Sequence, residues 1–188
     1  MPVAKGESID LDRTRAKVMR AAAELFYTQT TTVGVNDVAQ SAGVSKLTLY
    51  RHFGSKDGLL EAVLRERCDR LTGWLREASS APEDPVERVL AVFDTVRGWY
   101  AERGYRGCGV VNAATESPDG PAPALARELL GRYRELFTAL ARDAGAADPE
   151  RAGRQLLILI EGATVVAALT GEPGAADDAR ALARATLA

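Results

Sequence analysis

Cysteine is scarce in this chain of 188 residues, which holds only Cys68 and Cys108. Two thiols so far apart in sequence cannot build a disulfide framework or a multi-ligand metal motif, so a reducing, cytoplasmic setting is expected. Long apolar runs are also missing. The most apolar stretch, Leu156 to Leu169, includes Glu161 and Thr164 and falls short of the ~20 residues that a membrane span needs. It reads as a buried helix, and no membrane partner is expected. Met1 to Ile9 lack the basic start and apolar core of a signal peptide and read as a mobile tail. There is no internal repeat, no low-complexity tract and no β-hairpin signal, and no cofactor is implied.

What the chain does have is alanine, 33 residues of it, with many leucines, arginines and glutamates. These side chains lose little rotamer freedom in a helix, so an all-α class is expected. The length is enough to bury an apolar core without disulfides. The net charge of −2 conceals an asymmetry. Residues 1–56 carry eight Lys and Arg against five Asp and Glu, a net +3, which leaves 16 against 21, a net −5, for the remainder. The basic third is the part suited to a polyanion.

Apolar spacing and punctuation predict about nine helices. The first runs from Asp10 to Thr28 on Val18, Ala22, Leu25 and Phe26. Thr30 to Gly34 breaks it, and a short second helix carries Val35, Val38, Ala39 and Ala42 up to Gly43. Ser45 caps a short third helix with Leu49 and Phe53 inward, and Gly54 closes it. Ser55 caps a long fourth helix reaching Ala78. Asp84-Pro85 and Asp148-Pro149 each place a capping carboxylate before a proline at the first helical position. The loop Ser117 to Pro121 precedes a helix over Ala122 to Ala144. Gly171 to Gly174 precedes a last helix with Leu182 and Leu187 expected inward.

The second and third helices form a bihelical unit. Ala39 allows a close crossing, Gly43 tolerates positive φ in the turn, and Leu49 fills the angle between the helices. The stretches Val38-Ala-Gln-Ser-Ala-Gly-Val-Ser45 and Thr48-Leu-Tyr-Arg-His-Phe-Gly-Ser-Lys-Asp-Gly-Leu-Leu60 resemble the tetracycline-repressor-like (TetR) family of bacterial regulators. The resemblance covers roughly Arg13 to Val63. It implies a three-helix helix-turn-helix DNA-binding domain over residues 1–56. A helical ligand-binding and dimerisation domain over 57–188 would follow.

By that resemblance Ser45 to Phe53 is the recognition helix, with Lys46, Leu47 and Thr48 facing the major groove. Tyr50 and His52 match phosphate-contacting positions, and Lys56 matches a phosphate-binding lysine at the next helix start. Arg51 is expected to add a contact. Thr31, Thr32, Arg13 and Arg15 lie where the flank of the duplex would pass. Two departures stand out: Leu47 replaces a commonly small residue, and Gly34 replaces a frequent capping threonine. Leu47 is suited to apolar contact with a thymine methyl. His52, the only histidine, belongs to phosphate holding rather than general-base chemistry.

In the distal part, Tyr105 to Glu116 reads as a short helix with Cys108, Asn112 and Glu116 at i,i+4 spacing. That stripe is either a ligand-cavity lining or a redox-sensing thiol with its neighbours, or else Cys108 is a small buried hydrophobe and Glu116 a helix end. Trp74, Phe93, Trp99, Tyr100, Tyr133 and Phe137 are candidates for the apolar lining of a pocket or for core. Glu161 and Thr164 are either pocket groups or partners across a dimer interface.

The family pattern further implies a homodimer, here through Ala122–Ala144 and Pro149–Leu169. It binds double-stranded operator DNA and is released by a small-molecule effector through the long fourth helix. Two other classes remain in view: an effector-independent dimer that organises DNA, and an enzyme using Cys108 and Glu116. The latter lacks a complete set of catalytic groups.

Overall fold

The computed structural model describes residues 5–187, with side chains from residue 11 onward. Of the expected N-terminal tail, residues 1–4 lie outside the described residues. Among the described residues all regular structure is helical: α1 (Lys5–Thr28), α2 (Val35–Ala42), α3 (Lys46–Phe53), α4 (Lys56–Ser80), α5 (Pro85–Tyr100), α6 (Gly109–Glu116), α7 (Ala122–Asp143), α8 (Pro149–Thr170) and α9 (Ala175–Thr186). The all-α expectation with nine helices is met. α1 starts at Lys5 instead of Asp10, because its first turns are polar and carry no apolar stripe to mark them in sequence.

Two compact units emerge. One comprises the chain up to Arg67 together with Gly109–Leu125, and the other comprises Cys68–Cys108 and the chain from Ala126 onward. Two of the three divisions fall inside α4 and α7, and the third falls just before the start of α6.

In the first unit α1 packs on α2, α3 and α6. Its buried side chains Val18, Met19, Ala22 and Phe26 follow the three-and-four spacing of one helix face. α2 ends in a Schellman motif: the Val44 N–H donates to the Ala39 carbonyl at 3.0 Å and the Gly43 N–H to that of Gln40 at 3.1 Å. Gly43 has φ +65°, a conformation costly for any residue with a Cβ. Ser45 Oγ accepts from the Thr48 N–H at 3.0 Å and starts α3, while Leu49 is fully buried beneath it. Ser55 does the same for α4 through the Gly58 N–H at 2.9 Å. At Gly58 a Cβ would lie 2.2 Å from the Phe53 carbonyl oxygen, so the passage from α3 to α4 admits only glycine.

In the second unit Phe93 of α5 and Phe137 of α7 are fully buried, with ring centroids 6.1 Å apart. Asp84 and Asp148 accept from the Glu87 and Arg151 N–H groups at 2.9 Å, as their Asp-Pro contexts predict. α7 and α8 approach so closely that a Cβ on Gly153 would sit 2.9 Å from the Thr138 backbone nitrogen. α9 lies on α5 and α8 through Ala176, Ala179 and Ala183. Leu187 is buried as expected, but Leu182 is exposed: the inward stripe of α9 is made of alanines, which permit the close packing that a leucine would prevent.

α6 begins at Gly109 and not at Tyr105, because Gly104 and Gly107 take φ of +83° and +82° and interrupt the helix. α8, with 22 residues, is long and apolar enough to cross a membrane by length and composition alone. It is not a uniformly buried helix. Leu156, Ile160, Ala163 and Ala167 face inward, whereas Ile158, Val165, Val166 and Leu169 are exposed.

Candidate functional site

The outer surface of α3 is the first site. Its core side is held by Leu49, so the helical period turns Lys46, Leu47, Tyr50 and Arg51 to solvent. Leu47 is 69% exposed, which is unusual for a leucine in a helix of eight residues that has a buried face to offer. Lys46 Nζ lies 5.8 Å from the Tyr50 ring centroid, so the cation and the phenol occupy one patch. Ser45 and Thr48 sit at the helix start with their hydroxyls 2.8 Å apart, Thr48 half-buried. His52 is half-buried, its ring 6.1 Å from that of Phe53, and Lys56 is half-buried at the first position of α4. Arg15 covers the Phe53 ring at 5.2 Å, so this guanidinium lies beside the end of α3. Arg13 is exposed.

Thr31 and Thr32 part company. Thr32 is exposed and in contact with the Thr30 hydroxyl, but Thr31 is only 5% exposed, and its side chain is not presented to solvent for a duplex flank. Its backbone N–H instead donates to Glu116 Oε2 at 2.9 Å. The carboxylate at the end of α6 thus satisfies the corner between α1 and α2, a charge-assisted bond. Arg67 stacks on the Tyr27 ring at 4.6 Å, and Gly109 brings the start of α6 against both. Glu116 therefore serves the helix-turn-helix corner. Gly34, the departure at the start of α2, donates its N–H to Asp37 Oδ2 at 3.2 Å, so one end of a capping box survives without a side chain at the cap.

The second site is in the other unit. Phe93, Phe137 and Tyr133 are buried and belong to its core. Trp74, Trp99, Tyr100 and Tyr105 form a continuous aromatic cluster centred on Trp99, with ring centroids 5.9 Å (Trp74), 6.2 Å (Tyr100) and 5.0 Å (Tyr105) away. Both tyrosine hydroxyls end on one turn of α8. Tyr100 Oη lies 2.7 Å from Thr164 Oγ1 and donates to the Ile160 carbonyl at 3.3 Å. Tyr105 Oη donates to the Thr164 carbonyl at 3.4 Å. Glu161 belongs to that same turn. Burial alone lifts its carboxyl to about 7, with no ion pair among the described residues to hold the charge. The sequence offers Trp74, Trp99 and Tyr100 as one candidate lining and Glu161 and Thr164 as a separate pair, and the fold sets the ring cluster against the turn of α8 that carries that pair. It had not grouped Tyr105 with them, since nothing in the chain pattern links that loop to α8.

Cys108 is buried before the start of α6 and so is not part of a helical stripe with Asn112 and Glu116. Neither it nor Cys68 is in a disulfide. Burial, with Cys108 nearby, pushes the Cys68 thiol up to about 11, which keeps it protonated and a poor nucleophile at neutral pH. No group of three or more His, Cys, Asp or Glu side chains suited to a metal occurs among the described residues.

A capped, core-anchored bihelical unit with an exposed basic and aromatic helix face, followed by a helical body, defines the class of helix-turn-helix proteins. The sequence matches the family "Bacterial regulatory proteins, tetR family" over residues 18–63 and the "Tetracyclin repressor-like, C-terminal domain" over 85–183. The chain belongs to the TetR family of bacterial regulatory proteins, which are transcription regulators rather than enzymes.

Among its relatives is the HTH-type transcriptional activator FasR of Mycolicibacterium smegmatis, 35% identical over 107 residues, 54% of this chain but only about half (48%) of that protein. The HTH-type transcriptional regulator BetI of Cronobacter sakazakii is 32% identical over 171 residues, 80% of this chain and 79% of BetI. A TetR-family regulator from Streptomyces coelicolor has a similar structure, with a TM-score of 0.87, 27% identity, and coverage of 94% of this chain and 95% of that one.

Proposed function

We propose that this protein is a cytoplasmic homodimer that reads a near-palindromic operator through α3 and regulates a promoter by occupying it. Residues 1–56 are assigned to DNA and residues 57–188 to effector binding and dimerisation. The observation that carries the reading is the exposed face of α3, where Lys46, Leu47, Tyr50 and Arg51 project from a helix fixed by Leu49 and two caps. Lys46, Leu47 and Thr48 are assigned to base edges, and Tyr50, Arg51, His52 and Lys56 to phosphates, with Thr32 and Arg13 at the flank. Thr31 acts through its backbone.

The dimer face is assigned to α8 and α9, where the family pattern alone points to α7 and α8. Ile158, Val165, Val166, Leu169 and Leu182 are the exposed large apolar side chains of the distal helices, and α7 has none. An unpartnered apolar face of that kind is what a subunit interface covers. Small-molecule binding beside Trp99 and Thr164 is assigned the regulatory role: it favours a dimer with wrongly spaced recognition helices and lowers operator affinity by its differential affinity for the two states. The relatives' names include both activators and repressors, so repression by promoter occlusion is assigned here as the simplest outcome of operator binding.

The test is recovery of fragments of the source genome by the purified protein, followed by footprinting near physiological salt, where sequence-independent binding is suppressed. A protected near-palindrome that is lost on Tyr50→Ala or Lys46→Ala is expected. Binding indifferent to sequence would overturn the operator reading in favour of a DNA-organising dimer.

A further inference from the structure

The aromatic cluster of the second unit combines three features that together select a ligand charge. Trp74, Trp99 and Tyr105 are half-buried, so ring surface remains within reach of solvent. Tyr100 and Tyr105 have spent their hydroxyls on Thr164 and Ile160 of α8, which fixes the rings against the turn that bears Glu161 and leaves the carboxylate unserved by either phenol. Glu161 makes no hydrogen bond or ion pair among the described residues. Three arginines of the same unit are engaged elsewhere: Arg97 with Asp177 at 2.9 Å, Arg180 with Asp94 at 2.8 Å and Arg132 with Asp69 at 2.7 Å.

We propose that Trp74, Trp99, Tyr100, Tyr105 and Glu161 form a binding site for an organic cation of the substituted-ammonium class. The inference deepens the effector reading of this unit and rests on it. Ring faces carry the negative part of the aromatic quadrupole and attract a cation. A half-buried carboxylate without a partner disfavours an anion and gains from a positive charge that restores what desolvation removed. Alkyl groups on the cation suit the apolar rings, which a small, strongly hydrated metal cation would not exploit. A neutral ligand of the same shape would leave Glu161 as it is.

Trp74 and Trp99 are the only tryptophans in the chain, so intrinsic emission reports from this cluster alone. The full-length protein is titrated, without DNA, with tetraethylammonium chloride, against potassium chloride at matched ionic strength and against tert-butanol as a neutral alkyl control. A saturable change in tryptophan emission is expected with tetraethylammonium only, weakened roughly tenfold or more in Glu161→Gln, which keeps side-chain shape while removing the charge. The Lys46→Ala protein, altered only on α3, is expected to titrate like the wild type. A change that does not saturate, or that is matched by the controls, or that is equal in Glu161→Gln, overturns the proposal. Because no DNA is present, failure here is distinct from failure of the operator footprint.

Discussion

The two units differ in how their positions are specified. In the first, single residues with local jobs do most of the work: Ser45 and Ser55 cap, Gly43 turns, Gly58 leaves room for the Phe53 carbonyl, and Leu49 fills one angle. In the second, local signals start α5 and α8 through the Asp84 and Asp148 caps, but the side chains that make its interior have partners far away in the chain. Phe93 finds Phe137, and Tyr100 finds Thr164, 64 positions away. A surface built from local signals is recognisable in a short motif, whereas a surface built from distant contacts can vary its chemistry while keeping the same helices. That is the division of labour expected of a reader with a fixed target geometry and a sensor with a variable ligand.

Phe93→Ala is the largest expected break of this contrast. Removing a fully buried aromatic ring costs about 3–5 kcal/mol, and thermal or denaturant unfolding should register the loss. The cost should appear as destabilisation with no change in base preference at the operator. A change in preference would mean that the core of the second unit instructs α3 directly.

The next comparison sets two glycines against each other, one from each unit. In Gly58→Ala the new methyl meets the Phe53 carbonyl oxygen, and in Gly153→Ala it meets the Thr138 backbone nitrogen, so both should lose about 1–3 kcal/mol or more through forced backbone shifts. Only Gly58→Ala should also lose operator binding at temperatures where the protein remains folded by far-ultraviolet circular dichroism, since it distorts the exit of α3. Equal effects on DNA affinity would erase the distinction.

The third comparison is a pH slope. The Glu161 carboxyl is raised to about 7 in the folded chain against an ordinary value of 4.5, so between those values the folded state holds more protons than the unfolded state. Stability from this group is therefore full below 4.5 and is lost as pH rises to 7. Glu161→Gln should lack that slope, and denaturant titrations of the two proteins across the range should diverge as pH rises. Parallel curves would mean that the carboxylate finds a cation in solution, as a dimer partner would supply.

Several sequence expectations meet contacts that sequence spacing cannot convey. The family pattern points Thr31 to DNA and the stripe points Glu116 to ligand, while the backbone of one is bonded to the carboxylate of the other across 85 positions. Spacing at i,i+4 put Cys108, Asn112 and Glu116 on one helical stripe, but Gly107 takes positive φ and the helix starts after Cys108. Leu182 looked inward because leucines usually are, and α9 instead buries its alanines.

By itself the sequence determined the helical class, the capped starts of α3, α4, α5 and α8, and the identity of the residues on α3, because caps, turns and apolar period act over three or four positions. The tertiary structure alone decided which of two apolar faces of α8 is buried and which of the distal aromatics meet. It also decided that Glu161, on the same turn of α8 as Thr164, has no ion pair among the described residues. Those outcomes depend on where separate helices come to rest, and burial and electrostatics are properties of that arrangement, not of any local stretch of chain.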